Sequence, residues 1–224
     1  MAFAEVCMPF ISERVQPPRD PNLTETCTLL LKFRNLPGLL LFIAGAVLLM
    51  GIITAEIFYP AGYTTAHSEI SDLGATRPLP VSVSYQPSAS IFNATMIFGG
   101  LLIIAAALVL FRTGTKWYLV VFPALLGTGI LGVGIFPGNN AFFHPLFALL
   151  TFISGGLAAI VSFRMTRPPF AYLVALIGVI TLVFLFLSPV FIPLLGDGGT
   201  ERFVAYPLII WMIGFGGYLI GKSG

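Results

Sequence analysis

Residues 36–59 read LPGLLLFIAGAVLLMGIITAEIFY, with no charged side chain before Glu56. An α-helix needs about 20 apolar residues to cross the ~30 Å hydrocarbon core of a bilayer. A barrel strand would alternate polar and apolar residues with a period of two. This run is apolar on every side, so it reads as a membrane-spanning helix. Five further stretches read the same way: residues 91–111, 117–136, 141–163, 170–187 and 203–220. Pro189 and Pro193 end or bend the fifth. The expected fold is all-α, an integral membrane bundle of six transmembrane helices forming one domain over residues 36–221.

Composition points the same way. The chain has 224 residues, 57% hydrophobic and only 9% charged, and its mean hydropathy is +0.98. Soluble domains carry about a quarter charged residues, so lipid must be the solvent for most of this surface. The expected location is the cell membrane, as a multi-pass protein with membrane lipids as its partners. No nucleic-acid partner is expected, and oligomeric state is not legible. Residues 1–35 read as a polar cytoplasmic tail. It has no basic segment leading an apolar one, so no signal peptide is expected. Cys7 and Cys27 both fall in the tail and form no metal-binding pattern.

Orientation follows from the basic residues. With the tail in the cytoplasm, that side holds Arg14, Arg19, Lys32, Arg34, Arg112, Lys116, Arg164, Arg167 and Lys222. The other side holds only Arg77 and Arg202. Both termini are therefore expected to be cytoplasmic and loop 60–90 extracytoplasmic. Glu56, Glu69, Asp72, Asp197 and Glu201 gather at that outer boundary, with His67 and His144. Glycines crowd the spans, notably Gly127, Gly129, Gly132 and Gly134, and read as points of close helix packing.

The outer loop contains AHSEISDLGATRP, residues 66–78. It reads as one or two helical turns stopped by Gly74. Ile70 and Leu73 would rest on the bundle, Glu69 and Asp72 would share another face, and His67 would come within reach of Ser71. Beyond Pro78, Val81, Val83 and Tyr85 alternate with polar residues as an extended interfacial segment. Four other polar segments reach this level. Glu56 ends the first span, Ser88, Ser90 and Asn93 start the second, and PGNNAFFHP and GDGGTERF connect later spans. Together they suggest a polar cup roofed by the loop, ordered over residues 60–90.

In that cup the ligand-binding candidates are Glu56, Glu69, Asp72, Arg77, Asn93, His144 and Arg202. The two arginines suit an anionic group, Asn93 and His144 can donate hydrogen bonds, and Glu69 and Asp72 suit a cation or orient the histidines. Each also has a plainer structural reading. His144 could cap a helix, Glu56 could snorkel to headgroups, the arginines could neutralise carboxylates, and Glu69 and Asp72 could form a solvated face. His67, Asp72 and His144 are the candidate catalytic set. They are also the candidate ligands for a divalent metal, since two histidines and a carboxylate suit zinc. No HExxH or GxSxG spacing accompanies them.

SEISDLGATRP (68–78), SIFNATMIFGG (90–100) and GIFPGNNAFFHPLFALLTF (134–152), together with the six spans, resemble the prokaryotic membrane family called domain of unknown function family 998. That family is distantly similar to the eukaryotic DRAM, Frag and Sfk membrane proteins. The matching residues are Ser71, Gly74, Pro78, Phe92, Asn93, Gly99, Pro137 and His144. The resemblance implies six helices and an outer polar site, and, through the eukaryotic relatives, a link to lipid handling. It implies no reaction. The expected function is binding of a lipid headgroup or small polar ligand in the cup. The alternatives are a membrane-embedded lipid hydrolase or transferase, with or without a metal, a proton- or cation-coupled transporter using Glu56, and an assembly role without a ligand. The transporter reading lacks charges in the central turns of spans two to six.

Overall fold

The computed structural model describes residues 35–77 and 81–222. The tail, both cysteines and Pro78 lie outside the described residues. Within them the chain folds into six α-helices: α1 Leu36–Ile57, α2 Ser88–Arg112, α3 Trp117–Ile135, α4 Phe143–Ser162, α5 Phe170–Phe186 and α6 Ser188–Gly221. Two short 3-10 turns, Ser71–Leu73 and Phe163–Met165, complete the structure, and there is no strand among the described residues.

Five of these helices are long and apolar enough to cross a membrane, counting α4 with its 3-10 extension to Met165. The sixth, α5, is equally apolar but 17 residues long, which is the short limit for a span. Large apolar side chains cover the outside, with Met50, Leu108, Leu176, Leu194 and Ile210 all more than half exposed. Such a surface has no favourable solvent but lipid. The chain is a multi-pass membrane protein.

The helices pack in chain order and close into a ring, each against the next and α6 back against α1, with α4 also touching α6. Glycines permit the close approaches. A β-carbon added at Gly100 of α2 would lie 2.7 Å from the Gly127 carbonyl of α3. One added at Gly38 of α1 would lie 2.7 Å from the Gly216 carbonyl of α6. Without a hydrophobic drive between helices in lipid, this backbone proximity supplies the packing.

Two ends of the bundle differ in charge. The turn between α2 and α3, the turn between α4 and α5, and the end of α6 carry Arg112, Lys116, Arg164, Arg167 and Lys222. Every acid among the described residues lies at the opposite end, with the long loop between α1 and α2.

The segment 196–203 differs from the connection expected of it. Residues 188–195 are helical, the chain breaks at Gly196 with φ of 76° and ψ of 169°, and helix then runs on to Gly221. The sequence GDGGTERF therefore supplies the first turns of a helix rather than a loop. Gly196 is required here, because its backbone lies in the left-handed region and a side chain would collide with the Ala66 carbonyl.

Candidate functional site

The loop folds back over the bundle as a roof. Ile70 and Leu73 are buried in the core, at 5% and 0% exposure, on the bundle-facing side expected of them. The turn Ser71–Leu73 ends at Gly74, whose Cα packs against Phe92 and the Asn93 amide. Further along, the Thr76 N–H donates to the Val83 carbonyl (2.9 Å) and closes the loop on itself.

What holds the roof down is the first turn of α6 beyond the Gly196 break. The Gly199 N–H donates to the Ala66 carbonyl (3.1 Å). Arg202 Nη1 donates to the carbonyls of Thr65 (2.9 Å), Ser68 (2.8 Å) and Gly198 (3.0 Å). Its Nη2 donates to Glu56 Oε1 and to the Tyr63 hydroxyl, both at 2.7 Å. Tyr63 in turn donates to the Glu69 carbonyl (3.0 Å), and its ring packs beneath the guanidinium. Glu201 accepts the Ile70 N–H. Arg202 thus ties α6, α1 and the roof together, and only its Nε is buried without a partner.

Around the rim, Glu69 pairs with Arg77, and Asp72 Oδ2 accepts the Glu69 N–H (2.9 Å). Burial pushes the Glu69 carboxyl above its ordinary range, and Arg77 draws it partly back. Burial likewise raises Asp72, against the hydrogen bond from the Glu69 N–H. The Tyr63 phenol is also raised by burial.

Beneath the roof lies a cavity at the centre of the helix ring. Its volume is about 80 Å³, counted as space open to the centres of water molecules. On that measure a single water needs roughly 10–15 Å³. The walls are apolar and come from five helices: Leu48 and Ile52 of α1, Phe92 and Met96 of α2, Leu126 and Ile130 of α3, Ala148 of α4, and Ala205 and Met212 of α6. Polar side chains enter at few points, namely Ser71, His144, Thr151 and Glu201. His144 is 8% exposed, and its Nδ1 lies 2.9 Å from the Phe136 carbonyl at the end of α3.

The candidates from sequence do not share one site. His144 lines the cavity. Glu56 and Arg202 brace the roof, Arg77 and Glu69 pair at its rim, and Asp72 turns back onto the Glu69 backbone. Asn93 Oδ1 is buried against Gly74 with no hydrogen-bond partner and does not line the cavity. His67 is exposed and lies beside Gly196, while Ser71 Oγ turns to Glu69 (3.4 Å). Among the described residues no three His, Cys, Asp or Glu side chains are grouped as metal ligands would be, so His67, Asp72 and His144 are not assembled as a set.

Sequence reasoning did not single out Glu201 or Thr151 as site residues. Glu201 could have been found from its spacing, since Glu201, Ala205, Leu208 and Met212 recur every three or four residues along one helix face. Seeing this requires reading 198–203 as helix. Thr151 carries no signal beyond being polar within an apolar span.

A family model described as "Protein of unknown function (DUF998)" matches residues 42–218. No curated protein and no solved structure matches the chain.

Proposed function

The chain belongs to the DUF998 family of membrane proteins, a membership that carries no reaction with it, and we propose that it binds an amphipathic molecule of membrane-lipid chemistry in the central cavity. The apolar part lies between the five helices and the polar head meets His144, Glu201 and Ser71 under the roof. The observation that carries this reading is the distribution of the cavity lining, apolar over its length and polar at a few points that include its roofed end. A cavity for water alone would need polar partners throughout, and a closed apolar core would have no room.

The same reading places all six helices across the membrane, both chain ends in the cytoplasm and the roof outside. The five cations at one end, against Arg77 and Arg202 at the other, support it. The polar cup is then an internal head-group site and not an open anion-binding face, because the Nη donors of Arg202 are engaged by the protein itself.

Native mass spectrometry of gently extracted protein tests this. Wild type should retain a lipid-sized adduct. Ala148→Phe and Ala205→Phe fill the cavity from two different helices, and whichever retains the wild-type melting profile should lose the adduct. Equal adducts in wild type and a folded cavity-filled variant would remove the cavity from the function.

A further inference from the structure

Which head group the cavity accepts follows from where its protons point. His144 Nδ1 faces a carbonyl oxygen at 2.9 Å, and a carbonyl can only accept. The ring proton is therefore on Nδ1, and in the neutral ring Nε2 offers a lone pair. Nε2 has no hydrogen-bond partner among the described residues. The Thr151 hydroxyl donates its proton to the Phe147 carbonyl (2.8 Å), so only its lone pairs remain. Ser71 directs its proton toward the Glu69 carboxylate (3.4 Å). Glu201 receives the Ile70 N–H on Oε2, and Oε1 is the carboxyl oxygen left for a head group.

His144, Ser71 and Thr151 thus have their protons committed elsewhere, and no cation lines the cavity beside the Glu201 carboxyl. Neither Arg77 nor Arg202 lines the cavity. The Nη groups of Arg202 are held by Glu56, Tyr63 and three carbonyls. A phosphate or carboxylate placed here would face acceptors in an apolar surrounding without a counter-charge, which is costly.

We infer that the cavity selects an amphiphile whose head donates hydrogen bonds and carries no negative charge, a hydroxyl- or ammonium-bearing lipid rather than a phosphate- or carboxylate-bearing one. This rests on the binding reading above and narrows it. His144 Nε2 accepts from a hydroxyl head, and the Glu201 carboxyl pairs with an ammonium, with Ser71 and Thr151 at the margins.

The test compares four probes of equal chain length: a monoacylglycerol, an alkylamine, a fatty acid and an alkyl phosphate. Each is titrated against the full chain after exhaustive delipidation, with adduct formation read by native mass spectrometry. The monoacylglycerol or the alkylamine should bind more tightly than both anions, and whichever leads identifies hydroxyl or ammonium as the donor. His144→Ala should weaken the leading probe about threefold to tenfold, the equivalent of one hydrogen bond.

Glu201→Gln supplies a readout that a purely structural role would not move. Its amide keeps an oxygen for the Ile70 N–H but cannot ionise to pair with an ammonium, so alkylamine binding should weaken while monoacylglycerol binding holds. If an anion binds best to wild type, the inference falls while the cavity stands as a lipid site. If Glu201→Gln folds and leaves alkylamine binding unchanged, Glu201 does not read the head and the inference falls likewise. If none of the four binds, the cavity reading itself fails.

Discussion

Arg202 Nη2 lies 2.7 Å from Glu56 Oε1, joining α6 to α1 across 146 residues of sequence. The arginine side chain is 9% exposed and the glutamate 23%. The pair is largely removed from water, and the remaining Arg202 donors hold the roof carbonyls. Its geometry makes the roof part of the bundle.

Arg202→Lys cannot reproduce this, because one ammonium has three donors against five acceptors on separate elements. The variant should lose about 3 kcal/mol, within the range for breaking a buried pair. Glu56→Gln keeps an acceptor oxygen for Nη2 and should cost less, about 1–2 kcal/mol. Thermal unfolding in detergent measures both. Equal, small effects would mean that the pair does not brace the roof.

Glu69 is held above its ordinary range by burial and drawn down by Arg77. Arg77→Gln removes that pull, so Glu69 takes up its proton at a still higher pH in the folded state. Between its unfolded and folded values the native chain binds more protons than the unfolded one, so stability falls as pH rises through that window. The variant should therefore melt close to wild type at about pH 4 and progressively below it toward neutrality. A gap that is the same at both ends of this range would show that the Arg77–Glu69 contact is not electrostatic in origin.

Gly196 combines a positive φ with the close approach of Ala66. Gly196→Ala should cost about 1–3 kcal/mol and loosen the roof selectively. Hydrogen exchange at the Gly199 and Ile70 amides, which bond the Ala66 carbonyl and Glu201, should accelerate. Amides in the middle of α3 should stay protected. Uniform acceleration would mean that the break serves the whole fold rather than the roof.

Orientation is open to labelling. In a background with Cys7 and Cys27 replaced by serine, Thr65→Cys on the roof should react with an impermeant thiol reagent in intact cells. Lys116→Cys should react only after permeabilisation. The reverse pattern would invert the proposed topology and move the cavity entrance to the cytoplasmic side.

Much of the fold was legible because lipid imposes a simple rule on sequence. Runs such as 36–59 and 117–136 have one stable form in a bilayer, and the helices Leu36–Ile57 and Trp117–Ile135 follow them to within two residues. The break at Gly196 was not legible, since GDGGTERF has the glycines and charges of a surface turn. It is helical after Gly196 because the loop carbonyls of Thr65, Ala66 and Ser68 engage it, and those lie more than 130 residues away. The site was legible in part. His144 stood out as a polar residue at the head of an apolar span. Arg202 and Glu201 could not be separated into brace and cavity residue without knowing which helix face each occupies.

The most direct measurement is an experimental density map of the protein in a native-lipid nanodisc. A ligand-binding cavity predicts elongated density beneath the roof, with its polar end within hydrogen-bonding distance of His144 Nε2 and Glu201 and its body between Leu126 and Met212. A map in which those side chains meet across the centre, or enclose only water, would contradict it.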